Sequence, residues 1–129
     1  MDAPSTRPLL DKLGVKPGHR VSVIRIDDEG FLGLVRTRTG EVSVGRAKAK
    51  SDLIFYGVRK RADLGRIATL KRSLVPNGAL WTVRPKGVKE ITEAETMAAG
   101  LDAGLVDVKV VSFSPTHTAE KFVFRIADR

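Results

Sequence analysis

Apolar positions along this chain follow two periods, one typical of strands and one typical of helices. A continuous apolar run of strand length occurs at residues 53–58, a pattern typical of a strand buried on both faces, and residues 21–26, Val-Ser-Val-Ile-Arg-Ile, also predict a buried strand. Further strands are predicted at residues 79–84, 106–113 and 121–126. We therefore expect a sheet whose inner strands are covered on both sides.

Three segments have helical spacing. A short helix is predicted at residues 7–14, with Gly14 as its stop, and the clearest apolar stripe predicts a helix over residues 62–74. Thr92 and Glu95 form the pattern of a capping box, which predicts a helix beginning at Thr92.

Residues 30–50 allow two interpretations. The spacing of Phe31, Leu32 and Val35 favours a short helical turn, followed by a strand at residues 41–46. The alternative is a β-hairpin about residues 38–40, and the sequence leaves both open.

Strands separated by helices indicate parallel crossovers. The last two strands are joined by a loop too short for a crossover helix, so we expect that pair to be antiparallel. The predicted fold class is α/β, a reduced Rossmann-like, mostly parallel sheet with a C-terminal antiparallel strand pair. A flexible tail is predicted at residues 1–6 and a single domain at residues 7–129.

Composition narrows the function classes. The 129 residues are 42% hydrophobic and contain no apolar run long enough for a membrane span, and no apolar signal core follows the N-terminus. We therefore expect a cytoplasmic protein. The chain has no cysteine and only two histidines, which excludes disulfides and leaves little for a transition-metal site.

The net charge of +8 is concentrated in one segment. Nine cations and two acids lie between residues 44 and 72, and such a field favours anionic partners such as nucleic acid, an acidic protein or a phosphorylated metabolite. A solvated basic face is the simpler interpretation. If the segment does bind nucleic acid nonspecifically, the contacting cations are expected to be Arg59, Lys60, Arg61, Arg66, Lys71 and Arg72.

Residues 74–81, Leu-Val-Pro-Asn-Gly-Ala-Leu-Trp, resemble the helix-to-strand corner of class I methyltransferases. The antiparallel pair at the C-terminus is also similar to theirs. A closer resemblance is to a small uncharacterised bacterial family, domain-of-unknown-function family 3052. It is carried by Lys-Leu-Gly-Val-Lys-Pro-Gly at residues 12–18, the strand with Trp81, Gly-Leu-Val-Asp-Val-Lys-Val at residues 104–110, and Lys-Phe-Val at residues 121–123. The resemblance implies a truncated methyltransferase-like fold and no known activity.

The turn after the first strand departs from the methyltransferase pattern. That pattern has an acid followed by closely spaced glycines, which let backbone amides approach the ligand. Here Asp27, Asp28 and Glu29 open the turn, and Gly30 and Gly33 do not reproduce the spacing. The predicted second strand also lacks a terminal acid for a ribose. We therefore expect no bound cofactor.

Ligands of parallel α/β sheets usually bind at the carboxyl ends of the strands. Cations there, beside the start of the helix at Thr92, could hold a phosphate or a carboxylate. The candidate ligand-binding residues at this edge are Asp27, Asp28, Gly30, Arg59, Lys60, Arg84, Lys86, Thr92 and His117. Ordinary polar loop residues would give the same pattern. His117 is the one candidate general base at the edge, and no catalytic residue is assigned.

The leading hypothesis from the sequence is a non-enzymatic binding module that holds an anionic ligand or an acidic partner protein at the carboxyl edge. The first alternative is nonspecific nucleic-acid binding through residues 46–72. The second alternative is a residual S-adenosylmethionine-dependent methyltransferase.

Overall fold

A six-stranded sheet organises the computed structural model of the chain, which describes residues 8–129. The predicted tail at residues 1–6 lies outside the described residues. The strands are β1 (Val21–Ile24), β2 (Val42–Val44), β3 (Ser51–Gly57), β4 (Leu74–Pro85), β5 (Leu105–Ser112) and β6 (His117–Phe124). The α-helices are α1 (Leu9–Leu13), α2 (Glu29–Arg38), α3 (Ile67–Leu70) and α4 (Glu93–Asp102).

The spatial order of the strands is β2-β1-β3-β4-β6-β5. Strands β2, β1, β3 and β4 run parallel, and β6 inserts antiparallel between β4 and β5. This topology confirms the predicted α/β class with a mostly parallel sheet and a C-terminal antiparallel pair. It also places the carboxyl ends of β1, β3 and β4 at one edge, next to the β5–β6 loop.

Two apolar cores cover the two faces of the sheet. On one face, α1 and α2 pack through residues such as Leu13 and Phe31 against Phe55 and Trp81. On the other face, the segment around α3, together with Ile91, Ala103 and Leu105, packs against Tyr56, Leu80 and Phe122. Burial on both faces explains why the sequences of β1 and β3 are mostly apolar. Trp81 is fully buried, as its mid-strand position predicts.

The ambiguous segment after β1 folds as a helix followed by a parallel strand. The helix α2 extends from Glu29 to Arg38, well beyond the predicted turn, and β2 pairs with β1 in parallel. The hairpin alternative is therefore wrong. Asp28 caps the helix by accepting the Phe31 amide N–H at 2.9 Å, which provides a start signal that apolar spacing alone does not show.

The helix predicted at residues 62–74 is wrong in its form. A 3₁₀ helix (Arg61–Arg66), the single-turn α3 and a second 3₁₀ turn (Lys71–Ser73) replace it. Leu74 already belongs to β4, and the Pro-Asn-Gly segment continues that strand rather than forming a separate corner. The predicted apolar stripe is nevertheless confirmed, because Leu64, Ile67 and Leu70 are all buried.

The helix predicted from the capping box is confirmed. Thr92 is the N-cap of α4, and the Glu95 amide N–H donates to the Thr92 hydroxyl while the Glu95 carboxylate accepts from the Thr92 amide. In the described part of the chain, no helix is both long and apolar enough to cross a membrane.

Candidate functional site at the carboxyl edge

A cavity of about 490 Å³ opens at the carboxyl edge of the sheet. Its walls are three loops: the turn from β1 to α2, the turn after β3, and the loop from β5 to β6. The charged and titratable side chains that line it are Arg25, Asp27, Asp28, Glu29, Arg59 and His117. The cavity thus lies where ligands of parallel α/β sheets bind.

The first wall is the turn from β1 to α2, which we call the acidic turn (residues 25–29). Arg25 has a φ of 60°, in the left-handed region that non-glycine residues rarely adopt. This conformation redirects the chain immediately after β1 and brings Asp27, Asp28 and Glu29 to the rim of the cavity. All three acids are exposed, so they present negative charge to an incoming ligand.

The second wall is the turn after β3, which we call the basic turn (residues 57–63). Its centre is Asp63, whose side chain is buried although it carries a charge. One carboxylate oxygen, Oδ2, accepts the amide N–H groups of Arg59 at 2.8 Å and Lys60 at 3.2 Å. The other, Oδ1, accepts from Nη1 of Arg25 at 3.3 Å. One aspartate therefore ties the end of β1 to the turn after β3.

The hydrogen bonds to Asp63 determine its ionisation. Burial raises the pKa of a carboxyl group, but the amide donors of Arg59 and Lys60, together with the nearby Arg25 charge, outweigh burial and lower the pKa of Asp63 below its ordinary value. Asp63 is therefore a fixed negative charge at neutral pH. The adjacent Tyr56 hydroxyl donates to the Asp63 carbonyl oxygen at 2.7 Å. Its pKa is raised, first by burial and then by the Asp63 charge.

The two turns touch at Gly57. A Cβ atom at this position would overlap the carbonyl oxygen of Arg25 and come within 3.1 Å of the Ile26 side chain. Only glycine leaves room for the chain leaving β1 to cross so close to the end of β3. Gly57 therefore sets how closely the acidic turn approaches the basic turn.

The third wall is the β5–β6 loop. The hydroxyl of Ser114 accepts the amide N–H groups of Thr116 at 3.2 Å and His117 at 3.1 Å. The His117 ring nitrogen Nδ1 lies 2.8 Å from the Thr116 hydroxyl, so the hydrogen bond that holds this ring involves a hydroxyl rather than a carboxylate. Phe113 at the start of the loop packs on Phe31, with ring centroids 4.8 Å apart.

The cavity brings together four of the residues predicted for the carboxyl edge, namely Asp27, Asp28, Arg59 and His117. The others do not line it. Gly30 lies in the first turn of α2, Lys60 follows Arg59, and Lys86 donates to the Ser112 hydroxyl at 2.9 Å. The Thr92 amide and hydroxyl are both engaged by Glu95.

Arg84 departs most clearly from its predicted exposed position. It is 8% exposed, and its Nε donates to the buried Glu120 carboxylate at 3.0 Å. Its Nη2 lies 3.6 Å from Glu93 at the start of α4. Burial raises the pKa of Glu120, and the Arg84 contacts offset part of that rise. These contacts show that Arg84 links the sheet to α4.

The candidates predicted from the sequence do not include Arg25, Asp63 or Glu29, although Glu29 is placed in the turn after the first strand. Arg25 lies within a predicted strand, and its left-handed backbone leaves no mark in the sequence. Asp63 was detectable, because an aspartate three residues after a turn-forming Lys60 can cap the turn, as it does here. The helical spacing of the neighbouring apolar residues instead predicts an α-helix through this position.

The basic segment is partly engaged within the fold. Arg61 forms an ion pair with Glu95 at 2.7 Å, and the Arg66 guanidinium lies 5.9 Å from the Tyr56 ring centroid. The Lys71 ammonium donates to the Ala103 carbonyl oxygen at the end of α4. Three of the six cations predicted to contact nucleic acid are therefore engaged in contacts within the fold. Nucleic-acid binding stays a prediction.

Comparison with known proteins bears on the fold. No family model matches the chain, and no curated protein does. Among solved structures, a SAM-dependent methyltransferase from Aquifex aeolicus is similar over 88% of this chain and 86% of its own, with a TM-score of 0.69 at 17% identity. A SAM-dependent O-methyltransferase from Thermotoga maritima matches over 91% of this chain and 63% of its own, with a TM-score of 0.69 at 12% identity.

A TehB-like SAM-dependent methyltransferase from Corynebacterium glutamicum is also similar, over 91% of this chain and 85% of its own, with a TM-score of 0.56 at 12% identity. The fold is therefore methyltransferase-like. These neighbours overturn the leading hypothesis from the sequence, a non-enzymatic binding module.

Proposed function

We propose that the chain binds S-adenosylmethionine in the carboxyl-edge cavity and acts as a methyltransferase. The observation that carries this proposal is the position of the acidic turn at the cavity rim, in a fold shared with SAM-dependent methyltransferases. The methyl donor carries two positive charges, a sulfonium and an ammonium, and one negative charge, a carboxylate. The carboxylates of Asp27, Asp28 and Glu29 offer the complementary charge.

The donor would be bound by charged side chains that line the cavity, rather than by the backbone amides of a glycine-rich loop. Gly30 is in α2, where a Cβ atom would meet the Asp28 carboxylate at 3.3 Å, and Gly33 faces open space. Neither glycine therefore provides close backbone approach to a ligand. When bound, the donor would supply an electrophilic methyl group, and the acids of this chain would bind and orient its cationic centre.

Two ligands that differ in one charge test the proposal. S-adenosylhomocysteine lacks the sulfonium charge of S-adenosylmethionine but keeps nearly the same shape. Isothermal titration should show binding of both, with tighter binding of the charged donor. In Asp27→Asn and Glu29→Gln variants this preference should fall by several-fold per lost carboxylate, because each removes one attractive charge.

The matched control is Asp107→Asn, an exposed carboxylate on β5 outside the cavity. It should leave both affinities unchanged. Absence of binding of either ligand at millimolar concentration would overturn the proposal. Equal affinities in the wild type would contradict the role of the acidic turn.

We also propose two finer assignments. The first is membership of domain-of-unknown-function family 3052, supported by the motifs at residues 12–18 and 104–110. The second is a bacterial, cytoplasmic protein: the bacterial origin rests on the same resemblance, and the location on a sequence without cysteine. Fractionation of cells expressing the full chain tests the location, and recovery of the protein with the membrane fraction would contradict it.

A further inference from the structure

Three lysines from distant parts of the chain meet at the outer strands of the sheet, on the side that carries α1. Lys109 in β5 and Lys121 in β6 are direct partners across the two strands. The Lys109 ammonium donates to the Lys12 carbonyl oxygen at 3.0 Å, so this pair lies beside α1, and Lys16 follows the same helix. We call Lys16, Lys109 and Lys121 the lysine face.

The Lys121 side chain shows that the three charges act on one another. It is half-buried, and its ammonium lies 6.0 Å from the centroid of the Trp81 ring. Burial lowers the pKa of Lys121, and the charges of Lys109 and Lys16 lower it further. Within residues 8–129, both charged groups that shift this pKa are therefore cations, and Lys121 lies in a positive field.

The pairing of Lys109 with Lys121 works against the stability of the sheet. Side chains directly opposite each other on antiparallel strands have Cβ atoms about 4.5–5.5 Å apart, and like charges at such positions repel. The strand β5 forms one edge of the sheet, and Lys109 is exposed there. A bound polyanion would neutralise both ammonium groups and remove this repulsion.

The side-chain chemistry of the lysine face favours phosphate over carboxylate as its partner. Lysine binds phosphate as a point charge, whereas planar, bidentate recognition of a carboxylate is mainly a property of arginine. Single exposed ion pairs are weak, so an open surface of this kind needs a ligand with many phosphates. Trp81 is fully buried and is therefore not available to stack on an unpaired base. A nucleic-acid duplex, with one charge per about 1.7 Å of its axis, meets these requirements.

We propose that the lysine face binds the phosphate backbone of double-stranded nucleic acid without reading its sequence. This surface differs from residues 46–72, for which the sequence alone predicts such contacts, because it is assembled from two distant parts of the chain. It is also independent of the methyl donor, since Lys16, Lys109 and Lys121 lie outside the carboxyl-edge cavity.

A charge reversal separates binding from folding. Lys109→Glu places a carboxylate opposite Lys121 and so replaces a repulsive pair with an attractive one. The midpoint of thermal denaturation should therefore stay the same or rise. The affinity for a short DNA duplex at low salt, measured by fluorescence anisotropy, should fall at least about tenfold. A structural defect would lower both quantities together.

The salt dependence of binding counts the contacts with the backbone. For a duplex, the logarithm of the affinity falls with the logarithm of the salt concentration by about 0.9 per neutralised phosphate. Lys109→Gln and Lys16→Gln should each reduce this slope by about 0.9, equally for duplexes of unrelated sequence. The matched control is Lys89→Gln, which removes an exposed lysine from the loop before α4 and should leave the slope unchanged.

Four results would overturn the proposal. The first is the absence of duplex binding at low salt, and the second is an equal change of slope in Lys89→Gln and Lys109→Gln. The third is a change of slope in Arg72→Gln but not in Lys109→Gln, which would assign the contacts to residues 46–72. The fourth is competition by polyglutamate as effective as that by the duplex at equal charge, which would indicate an acidic protein. None of these results depends on whether S-adenosylmethionine binds.

Discussion

The acidic and basic turns are built around an aspartate in two different ways. In the acidic turn, Asp28 accepts a single amide N–H, that of Phe31, and is exposed. In the basic turn, Asp63 is buried and accepts two amides and a guanidinium. A local cap begins a helix, whereas the buried Asp63 joins the turn after β3 to Arg25, which follows β1 and lies 38 residues earlier in the sequence. Because Asp63 joins the two turns and Asp28 does not, we infer that the cavity geometry depends mainly on the basic turn.

The largest expected effect comes from the point where the two turns touch. Gly57→Ala would place a methyl group against the Arg25 carbonyl oxygen, and backbone cannot move aside as a flexible side chain can. We expect a loss of about 3 kcal/mol or more in the free energy of unfolding, measured by chemical denaturation.

Gly33→Ala is its control, because a Cβ atom at Gly33 meets nothing within 4 Å and the position is an exposed site within α2. It should stabilise the protein by about 0.5–1 kcal/mol. Equal effects at the two glycines would contradict the close approach between the turns.

The next effect is expected at the buried acceptor. Asp63→Asn replaces one acceptor oxygen with a donor, so either the two amides or the Arg25 guanidinium loses its partner. At pH 7 we expect a cost of about 1–3 kcal/mol. The pKa of Asp63 is lower in the folded than in the unfolded state, so its contribution is present above the unfolded pKa, near pH 4, and disappears as the pH falls through the folded pKa.

Denaturation of the wild type and of Asp63→Asn should therefore give a constant difference from about pH 5 to pH 7 and a shrinking difference below about pH 4. The exposed Asp107→Asn is the control and should show a difference near zero throughout. A difference for Asp63→Asn that grows as the pH falls would contradict its lowered pKa.

The sheet could be predicted from the sequence because burial on both faces leaves a direct pattern. The runs at β1 and β3 predict inner strands, and the short link between β5 and β6 predicts their antiparallel pairing. The form of the 61–73 segment could not be predicted in this way. A 3₁₀ helix buries nearly the same stripe as an α-helix, so Leu64 and Ile67 do not distinguish them.

The candidate site was predicted only in part, for two physical reasons. Residues that follow the ends of parallel strands share an edge, which places Asp27 and Arg59 together. Exposure, however, depends on tertiary packing that a linear pattern does not contain. Arg84 follows the same rule yet is buried against Glu120, while Arg25 enters the cavity because its backbone is left-handed.

A smaller effect is expected in the acidic turn. Asp28→Ala removes a helix cap that accepts one amide, and loss of such a cap costs about 1 kcal/mol. Asp28→Ser keeps a capping oxygen without the charge and should recover most of that stability. The free energies of unfolding of the wild type and of both variants are measured by chemical denaturation in the same buffer. If Asp28→Ala lowers the free energy of unfolding as much as Asp63→Asn does, the two aspartates do not differ in their contribution to stability.

The smallest net effect is expected at Arg25, where two contributions oppose each other. Arg25→Gly relieves the backbone strain of a φ of 60°, and this relief is worth about 1 kcal/mol. The same substitution removes the ion pair with Asp63, which is worth at most about 1 kcal/mol because the Arg25 side chain is 47% exposed. We expect the free energy of unfolding to change by less than about 1 kcal/mol. Arg25→Ala loses the same ion pair without relieving the strain, so it should be less stable than Arg25→Gly by about 1 kcal/mol. Equal stabilities of the two variants would show that the left-handed backbone of Arg25 carries no strain.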